Sequence, residues 1–319
     1  MEILFNILNV IKYLIYALLI IAFVIFIFLN VSPVFGASPD KNTKEIIVNS
    51  ENFFEGKFRN IKTTYTNFRT LERKSTLKEW FFPPKDKNPL GPLPTIKFQG
   101  QDLTEGKFVW FGHSTLLMKT EDLVVMTDPV FNRASPLPSF SSKSKSSFFN
   151  GKPFVFENPI LIEDLPKVNV VIISHDHYDH LDSKAIKDLS NLVDHFIVPL
   201  GVGAHLKRWG VDKNKITELD WYESKIYKDV EFIFAPALHF SGRGITNGNS
   251  TLWGSWIVKS KSLSAYFSGD GGYSETFKKL GNEYGPFDIA FIENGAYNID
   301  WSNVHMFPDE SVQASIDLK

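Results

Sequence analysis

The most constraining feature of this sequence is a cluster of histidines and aspartates that directly follows a short apolar run. Residues 168–173 read VNVVII, and such a β-branched run predicts a buried strand. The next nine residues read SHDHYDHLD, so three of the chain's eight histidines fall within six positions. Residues 183–189 suit a helix that Asp182 or Ser183 can cap. The cluster is therefore predicted on a loop between a core strand and a helix, a common place for ligands in α/β folds.

The residue types in this cluster predict a metal site. Neutral imidazoles with a carboxylate suit zinc, and manganese or iron can also occupy mixed His/Asp sites. His175 and His177 can point into one cavity from an irregular loop, while Asp179 and His180 can reach a second ion nearby. A polar surface loop with coincidental histidines would explain a single HxH pair, but it explains HxHxDH after an apolar strand poorly. The pattern favours a metal centre with one or two ions.

Two later apolar runs each lead to one further candidate ligand. Residues 232–237 read FIFAPA and lead to His239, and residues 265–267 read AYF and lead to Asp270. Either residue taken alone would more often be structural than a ligand. Together with the HxHxDH cluster, they are expected to complete the metal site. Asp270 is the bridging candidate, because one carboxylate can give an oxygen to each ion.

The N-terminus carries a long apolar segment. Residues 13–29 read YLIYALLIIAFVIFIFL and contain neither a charge nor a helix breaker. Extended toward its N-terminal side, this run reaches the about 20 residues that a bilayer crossing requires. Residues 1–31 are therefore predicted to form a transmembrane anchor. A cleaved signal peptide is the alternative, but its apolar core would normally be about 7 to 15 residues.

The expected location is a single-pass protein of a bacterial inner membrane. Basic residues flank the apolar segment on both sides, so the side that carries the globular domain stays undetermined. Residues 32–50 are polar, contain proline and glycine, and are predicted to be a linker. Residues 51–319 are predicted to form one globular domain.

The composition of the chain argues against several classes of function. The net charge of -2 argues against a nucleic-acid partner, and the absence of cysteine excludes disulfides, Cys-ligated zinc and thiol nucleophiles. Residues 139–147 read SFSSKSKSS, which predicts a solvated loop, with a basic and aromatic lip for lipid headgroups as the alternative. His195 and His205 are expected to have structural or surface roles. Nothing in the sequence specifies an oligomeric state.

Further motifs support a family resemblance beyond HxHxDH. They read WFGHST, TDPVF, ELDW, HFSGRG and TLWGSW, at residues 110–115, 127–131, 218–221, 239–244 and 251–256. Over about residues 51–319 the chain resembles the metallo-β-lactamase superfamily. Within that superfamily it resembles the branch that contains N-acylphosphatidylethanolamine-hydrolysing phospholipase D and its bacterial relatives.

This resemblance implies an α/β fold, a four-layer αβ/βα sandwich with the metals at its rim. It implies that one metal is bound by His175, His177 and His239. It implies that the second is bound by Asp179 and His180, with Asp270 between the two. Asp128 would orient the metal loop from beneath, and His113, His305 and Tyr297 would line the substrate cavity. A histidine bonded in the core is an equally good interpretation of His113.

The function implied by the resemblance is hydrolysis by hydroxide held between two divalent ions, with Asp179, Asp270 and His305 taking part in the chemistry. The first-choice substrate is a phosphodiester such as an N-acylphosphatidylethanolamine-type phospholipid. A lactone or other ester is the second, so the expected partner is a small molecule or a lipid.

Three departures from the family pattern matter. Gly271 stands where threonine is usual, and residues 292–298 resemble relatives of unassigned substrate more than the phospholipase. The family also carries a last histidine ligand on a strand after the final helix, whereas no histidine follows His305 here. We therefore expect the closing strand to be missing and the second metal site to be incomplete. A non-catalytic, membrane-tethered ligand-binding protein is the rival interpretation.

Overall fold

The computed structural model describes residues 2–62, 89–136, 153–295 and 301–319. The predictions for residues 139–147 and for Tyr297 lie outside these described residues. The chain begins with a helix of 30 residues, Glu2–Val31, here called the apolar helix. Its stretch Phe5–Val31 is long and apolar enough to cross a membrane, and none of its most apolar part is buried against the protein. A signal sequence near an N-terminus would pass the same test.

The segment after the apolar helix is folded onto the domain, which differs from the linker that the sequence predicts. It forms a 3₁₀ turn at Pro33–Phe35 and a helix at Lys41–Asn49, whose start is capped by Asp40 accepting from Thr43 N at 2.9 Å. Ile47 is buried in the main core. A hairpin of β1 (Phe53–Phe54) and β2 (Lys57–Phe58) follows. Because only Thr43 and Ile47 of this helix are buried, its sequence shows no extended apolar face.

Six further strands form the first sheet: β3 Phe108–Trp110, β4 Leu116–Thr120, β5 Leu123–Thr127, β6 Val168–Ile172, β7 Val193–Pro199 and β8 Ile216–Leu219. They lie in sequence order across the sheet. Neighbours from β3 to β5 are antiparallel, and neighbours from β5 to β8 are parallel. The parallel half is buried on both faces, which explains why β6 is almost continuously apolar.

Five strands form the second sheet: β9 Ser224–Tyr227, β10 Val230–Ala235, β11 Ser255–Lys259, β12 Ser264–Phe267 and β13 Ile289–Phe291. Their order across the sheet is β13-β12-β11-β10-β9. All neighbouring pairs are antiparallel except β12 and β13. Short 3₁₀ turns also occur at Gly100–Asp102, Ile162–Asp164 and Lys213–Lys215.

The two sheets face each other and are covered by helices on their outer faces. Side chains from both sheets interdigitate in one core, among them Val170 of β6 and Trp256 of β11. A second core packs the first sheet against the helices Ser183–Leu189 and Gly203–Arg208, and a third packs the second sheet against the helices Thr276–Tyr284 and Pro308–Leu318. This arrangement confirms the predicted four-layer αβ/βα sandwich.

Candidate metal centre

Residues 174–182, here called the metal loop, connect β6 to the helix Ser183–Leu189. The backbone N–H groups of His180 and Leu181 donate to the His177 carbonyl at 3.1 and 2.8 Å, so the loop turns tightly. Asp182 ends the loop and caps the helix by accepting from Lys184 N at 2.9 Å. The loop therefore holds its imidazoles at the rim of the sandwich, between the two sheets.

Three histidines form the first group of potential ligands. His175, His177 and His239 each offer a ring nitrogen, and these nitrogens all lie within 4.8 Å of one another. His175 Nε2 lies 2.9 Å from His177 Nδ1, which lies 3.3 Å from His239 Nε2. Tetrahedral zinc with Zn–N distances of about 2.0–2.1 Å would hold its ligand nitrogens about 3.3 Å apart. The spacing of these three nitrogens fits a single divalent ion.

Hydrogen bonds behind these rings fix which nitrogen faces the centre. His239 Nδ1 donates to the Val304 carbonyl at 3.0 Å, which leaves Nε2 as the ligand atom. His175 Nδ1 contacts Ser174 Oγ at 2.9 Å, so its Nε2 also faces inward. Contacts of this kind orient metal-binding histidines and set their tautomer.

A second group surrounds Asp270. His180 Nε2 lies 3.0 Å from Asp270 Oδ2, yet this buried nitrogen has no hydrogen-bond partner among the described residues. A buried imidazole nitrogen aimed at a carboxylate without bonding it is what a shared ion would explain. Asp270 also groups with His175 and, separately, with His239 and His305. The donor set therefore fits a second ion, with Asp270 in a bridging position.

Asp179 and His113 lie on the open side of this second group. The Asp179 carboxylate contacts His113 Nε2 at 3.3 Å. Together with His180, these two residues form a potential group of metal ligands. The His113 side chain is 51% exposed and its residue has a φ of 46°, so it sits at the rim of the site rather than in the core. Its carbonyl accepts from Trp110 Nε1 at 2.7 Å, which holds this unusual backbone conformation.

Asp128 lies directly beneath the metal loop and is fully buried. Its Oδ1 accepts from Ser174 N at 2.7 Å, while Oδ2 accepts from Ser174 Oγ at 2.5 Å and from His180 Nδ1 at 2.7 Å. The bond to His180 places its proton on Nδ1 and leaves Nε2 for an ion. Asp128 adopts a φ of 33°, a left-handed conformation that aspartate tolerates better than most residues.

The two carboxylates make the His180 position strongly attractive to positive charge. Burial lowers the pKa of His180, but Asp270 and Asp128 outweigh it and raise the pKa well above its ordinary value. Burial raises the pKa of Asp128, against the opposing bonds from His180 and Ser174. Without a metal ion, a proton on His180 supplies positive charge at this position. A divalent ion would supply that charge instead.

Gly269 explains how the Asp270 loop approaches the metal loop so closely. Its φ is 56°, and a Cβ placed there would lie only 2.5 Å from Ser174 Cβ. Gly254 N also donates to the Ser174 carbonyl at 3.0 Å, so the two sheets meet at Ser174. A side chain at residue 269 would push Asp270 away from His180.

Glu293 is a site residue that sequence reasoning missed. It follows β13, accepts from Met306 N at 2.8 Å, and contacts His305 Nδ1 at 3.1 Å. Burial lowers the pKa of His305, but the bond to Glu293 and the nearby Asp270 raise it overall. The available signal was its place at a strand end, within a segment that already departed from the phospholipase sequence.

Arg243 is a second residue that sequence reasoning left without a role. Its buried Nη1 donates to the carbonyls of Asp176 and Leu181 in the metal loop, at 2.6 and 2.8 Å. Its Nε and Nη2 donate to the Val34 carbonyl at 3.1 and 3.0 Å. One guanidinium therefore ties the segment after the apolar helix to the back of the metal loop.

The two remaining histidines lie outside the metal-ligand groups. His205 is buried, contacts Asp176 Oδ2 at 3.3 Å and accepts from Ala37 N at 2.9 Å, so it reinforces the connection made by Arg243. His195 Nε2 contacts Thr217 Oγ1 at 2.8 Å on the first sheet.

The metal centre opens into a pocket that continues into a groove. The pocket measures about 380 Å³, and its wall includes four candidate ligands, His177, Asp179, His239 and Asp270, together with Phe240, Trp301 and His305. The groove measures about 580 Å³ and is walled by aromatic residues from the edge strands, Phe108, Trp110 and Phe291. His113, Asp270, Glu293 and Gly295 line both spaces, so a ligand could reach from the centre into an apolar environment.

The fold and its cluster of candidate ligands define an αβ/βα sandwich with a potential metal centre, and comparison with known proteins supplies the family. Residues 124–319, more than half of the chain, match the family model described as "Beta-lactamase superfamily domain". The chain therefore belongs to the β-lactamase superfamily.

Curated relatives are similar to this chain over most of its length. An uncharacterised protein of Mycobacterium tuberculosis is 40% identical over 235 residues, covering 72% of this chain and 60% of the relative. N-acyl-phosphatidylethanolamine-hydrolyzing phospholipase D 1 of Caenorhabditis elegans is 36% identical over 246 residues, covering 72% of this chain and 67% of that protein. The chain thus spans about 60% of the length of the mycobacterial relative.

Solved structures with similar folds are more distant. The isothiocyanate hydrolase from Delia radicum gut bacteria aligns with a TM-score of 0.49 and 19% identity, over 64% of this chain and 78% of that chain. A likeness at this level carries no argument about substrate.

Proposed function

We propose that this protein is a membrane-anchored, metal-dependent hydrolase that cleaves a phosphodiester in a lipid. The observation that carries the proposal is a cluster of imidazoles and carboxylates that opens directly into an apolar groove. The similarity to an N-acyl-phosphatidylethanolamine-hydrolyzing phospholipase D supports the same substrate class. Neither feature requires a particular headgroup.

Two divalent ions fit the donor set, with zinc as first choice and manganese or iron as alternatives. His175, His177 and His239 would hold one ion, and Asp179 and His180 the other, with Asp270 shared between them. When bound, the ions supply Lewis acidity, which stabilises negative charge on the oxygens of a reacting phosphoryl group.

The chain's own residues prepare this chemistry. Asp128 holds the His180 tautomer, and the Val304 carbonyl holds that of His239. Glu293 holds the His305 ring through Nδ1, so His305 Nε2 can keep a proton for the leaving oxygen. Because both ring and carboxylate lie in the pocket wall, the proton donor and the ligands face the same space.

The groove supports an amphiphilic substrate over a fully polar one. Phe108 and Trp110 of β3 are 49% and 67% exposed, which is unusual for aromatic side chains on a sheet edge. An acyl chain lying against them would remove this surface from water. A lactone or other ester could react at the same centre, and a compact lactone would leave the groove unused.

The membrane anchor is part of the proposal. The stretch Phe5–Val31 would cross the bilayer, and the contacts of Arg243 with Val34 would hold the metal loop close to the end of the crossing helix. This arrangement would place the centre near a membrane surface, where a lipid substrate is found.

The test is turnover by the full chain in mixed micelles. We expect cleavage of N-acylphosphatidylethanolamine, much weaker cleavage of a short phosphodiester without acyl chains, and loss of both after chelator treatment. The variant D270N should lose turnover, whereas D229N, which changes an exposed turn aspartate, should keep it. Cleavage of a lactone without cleavage of either phosphodiester would overturn the substrate class. Binding without turnover of any substrate would favour a ligand-binding protein.

A further inference from the structure

A separate cavity lies at the end of the apolar helix, on the side of the metal loop away from the metal pocket. It measures about 300 Å³, and its wall includes Phe28, Val34, Arg133, Tyr178 and Lys184. It shares no lining residue with the metal pocket or with the apolar groove. Whatever it holds is therefore held by different side chains from those of the metal centre.

Arg133 is the residue of this cavity that indicates a bound ligand. Its Nε and Nη2 are shielded from solvent, and neither has a hydrogen-bond partner among the residues that the structure describes. A buried donor without a partner is costly, and the cost is greater for a charged group. Nε and Nη2 form one edge of the guanidinium, which is the edge that meets a phosphate with two parallel hydrogen bonds.

The neighbouring charged groups already have hydrogen-bond or ion-pair partners within the protein. Arg243 uses its nitrogens on the carbonyls of Val34, Asp176 and Leu181. Asp182 accepts from Asn132 N and Nδ2 at 2.8 and 3.0 Å, and from Lys184 N at 2.9 Å. The Lys184 ammonium pairs with Asp188. Within the described part of this wall, Arg133 is the cation that has buried donors without a hydrogen-bond partner.

The position of the cavity indicates the kind of anion. Phe5–Val31 contains 27 residues, and at about 1.5 Å per residue it is about 40 Å long, longer than a bilayer core of about 30 Å. Phe28 in its last turn would therefore lie near the polar surface of the bilayer. Phe28, Val34 and Tyr178 provide an apolar side to the cavity, next to the buried guanidinium.

We propose that this cavity binds the phosphate of an anionic phospholipid headgroup, with Arg133 as the residue that recognises it. The apolar wall would receive the glycerol and the first carbons of the acyl chains. This inference rests on the proposed membrane span, and it does not rest on the proposed hydrolase activity. The bound lipid would be a resident of the membrane surface and would stay uncleaved at this site.

Lipid retention by the full chain tests the proposal. The D270N variant, purified in a neutral maltoside detergent, prevents turnover at the metal centre while leaving this cavity intact. Native mass spectrometry would follow retention of dioleoylphosphatidylglycerol, with dioleoylphosphatidylcholine and inorganic phosphate as comparison ligands. We expect one phosphatidylglycerol per chain, and at least about tenfold weaker retention after R133Q, because the loss of even one charge-assisted bond changes an equilibrium constant by about that factor.

Two further variants make the result specific. R59Q removes the same charge from an exposed arginine that pairs with Glu55, and retention should be unchanged. R133K keeps the charge but loses the two parallel bonds, so its retention should lie between those of the wild-type residue and R133Q. Agreement of their circular dichroism spectra would show that each variant is folded.

The contrary outcomes are equally defined. Equal retention by R133Q and R59Q would refute the site, as would equal retention of the two phospholipids. Binding of inorganic phosphate as tight as that of phosphatidylglycerol would refute a lipid ligand and indicate a free-phosphate site. Flotation with vesicles tests the anchor separately. If the chain floats with vesicles but R133Q leaves its lipid retention unchanged, the membrane anchor is supported and the lipid site is refuted.

Discussion

At the residue scale, Asp128 is a buried carboxylate that we propose supports the metal site without being a ligand. It bonds Ser174 and the His180 ring, and so fixes the loop and the ligand nitrogen together. The variant D128N can no longer accept the His180 proton in the same way. We expect the affinity of the second metal site to fall by about 10–100-fold, as is typical for such supporting partners. Competition with a fluorescent chelator would measure it, and an unchanged affinity would contradict this role.

His305 offers a sharper distinction between two roles at the same scale. It contacts Glu293 and also lies near His239 and Asp270, so it could serve as a proton donor or as a ligand. We expect H305Q to lower kcat by about 100-fold, within the range for acid–base groups, while metal per chain stays constant. H195Q, which changes a histidine outside the site, should affect neither quantity. Loss of one metal from H305Q would make His305 a ligand instead.

Single residues also show the limit of sequence reasoning. The candidate ligands lie in short motifs at strand ends, and strand ends meet at one rim, so the sequence could predict that His175, His239 and Asp270 converge. Glu293 and Arg243 are not candidate metal ligands, and the motif that contains Arg243 gives it no role. Their importance comes from partners far away in the chain, Met306 and Val34, and no local pattern indicates such pairs.

At the element scale, the segment after the apolar helix behaves as part of the domain. The sequence predicts a linker there because residues 32–50 are polar and contain proline and glycine. Its short helix Lys41–Asn49 is stabilised by Ile47 in the core and by the Asp40 cap. Tertiary burial of two side chains, Thr43 and Ile47, rather than an extended apolar period, stabilises this element. By contrast, the apolar run at residues 168–173 matches β6 closely, because its pattern is strong over every position.

The connection made by Arg243 gives a prediction at this scale. R243M would leave the carbonyls of Val34, Asp176 and Leu181 without their donor in a buried region. We expect the free energy of unfolding to fall by about 3 kcal/mol or more, since buried groups that lose a charged partner are costly. Urea unfolding of the full chain in detergent, followed by tryptophan fluorescence, would measure the change.

A matched variant separates this connection from a general loss of charge. R208Q removes an arginine that donates to Val31 on the exposed side of the same segment. We expect a change within about 0.5 kcal/mol, as for most surface substitutions. Similar destabilisation by R208Q and R243M would show that the buried contacts of Arg243 with the metal loop contribute no more stability than an exposed contact.

At the scale of the whole molecule, the sandwich brings three separate chain segments into one centre. The first sheet contributes the metal loop, and the second contributes the residues that follow β10 and β12. The sequence could predict the layers, because strands and helices follow one another with clear apolar periods. It could not predict the groove beside β3 or the cavity beside Phe28, since both are formed by surfaces that meet only after folding.

The central claim is that His175, His177, Asp179, His180, His239 and Asp270 together assemble a centre for two metals. Elemental analysis of the purified full chain measures it most directly, as metal per chain. We predict two equivalents in the wild-type protein and in H195Q, and a clear loss in D270N. One equivalent or none in the wild-type protein would contradict the two-metal centre.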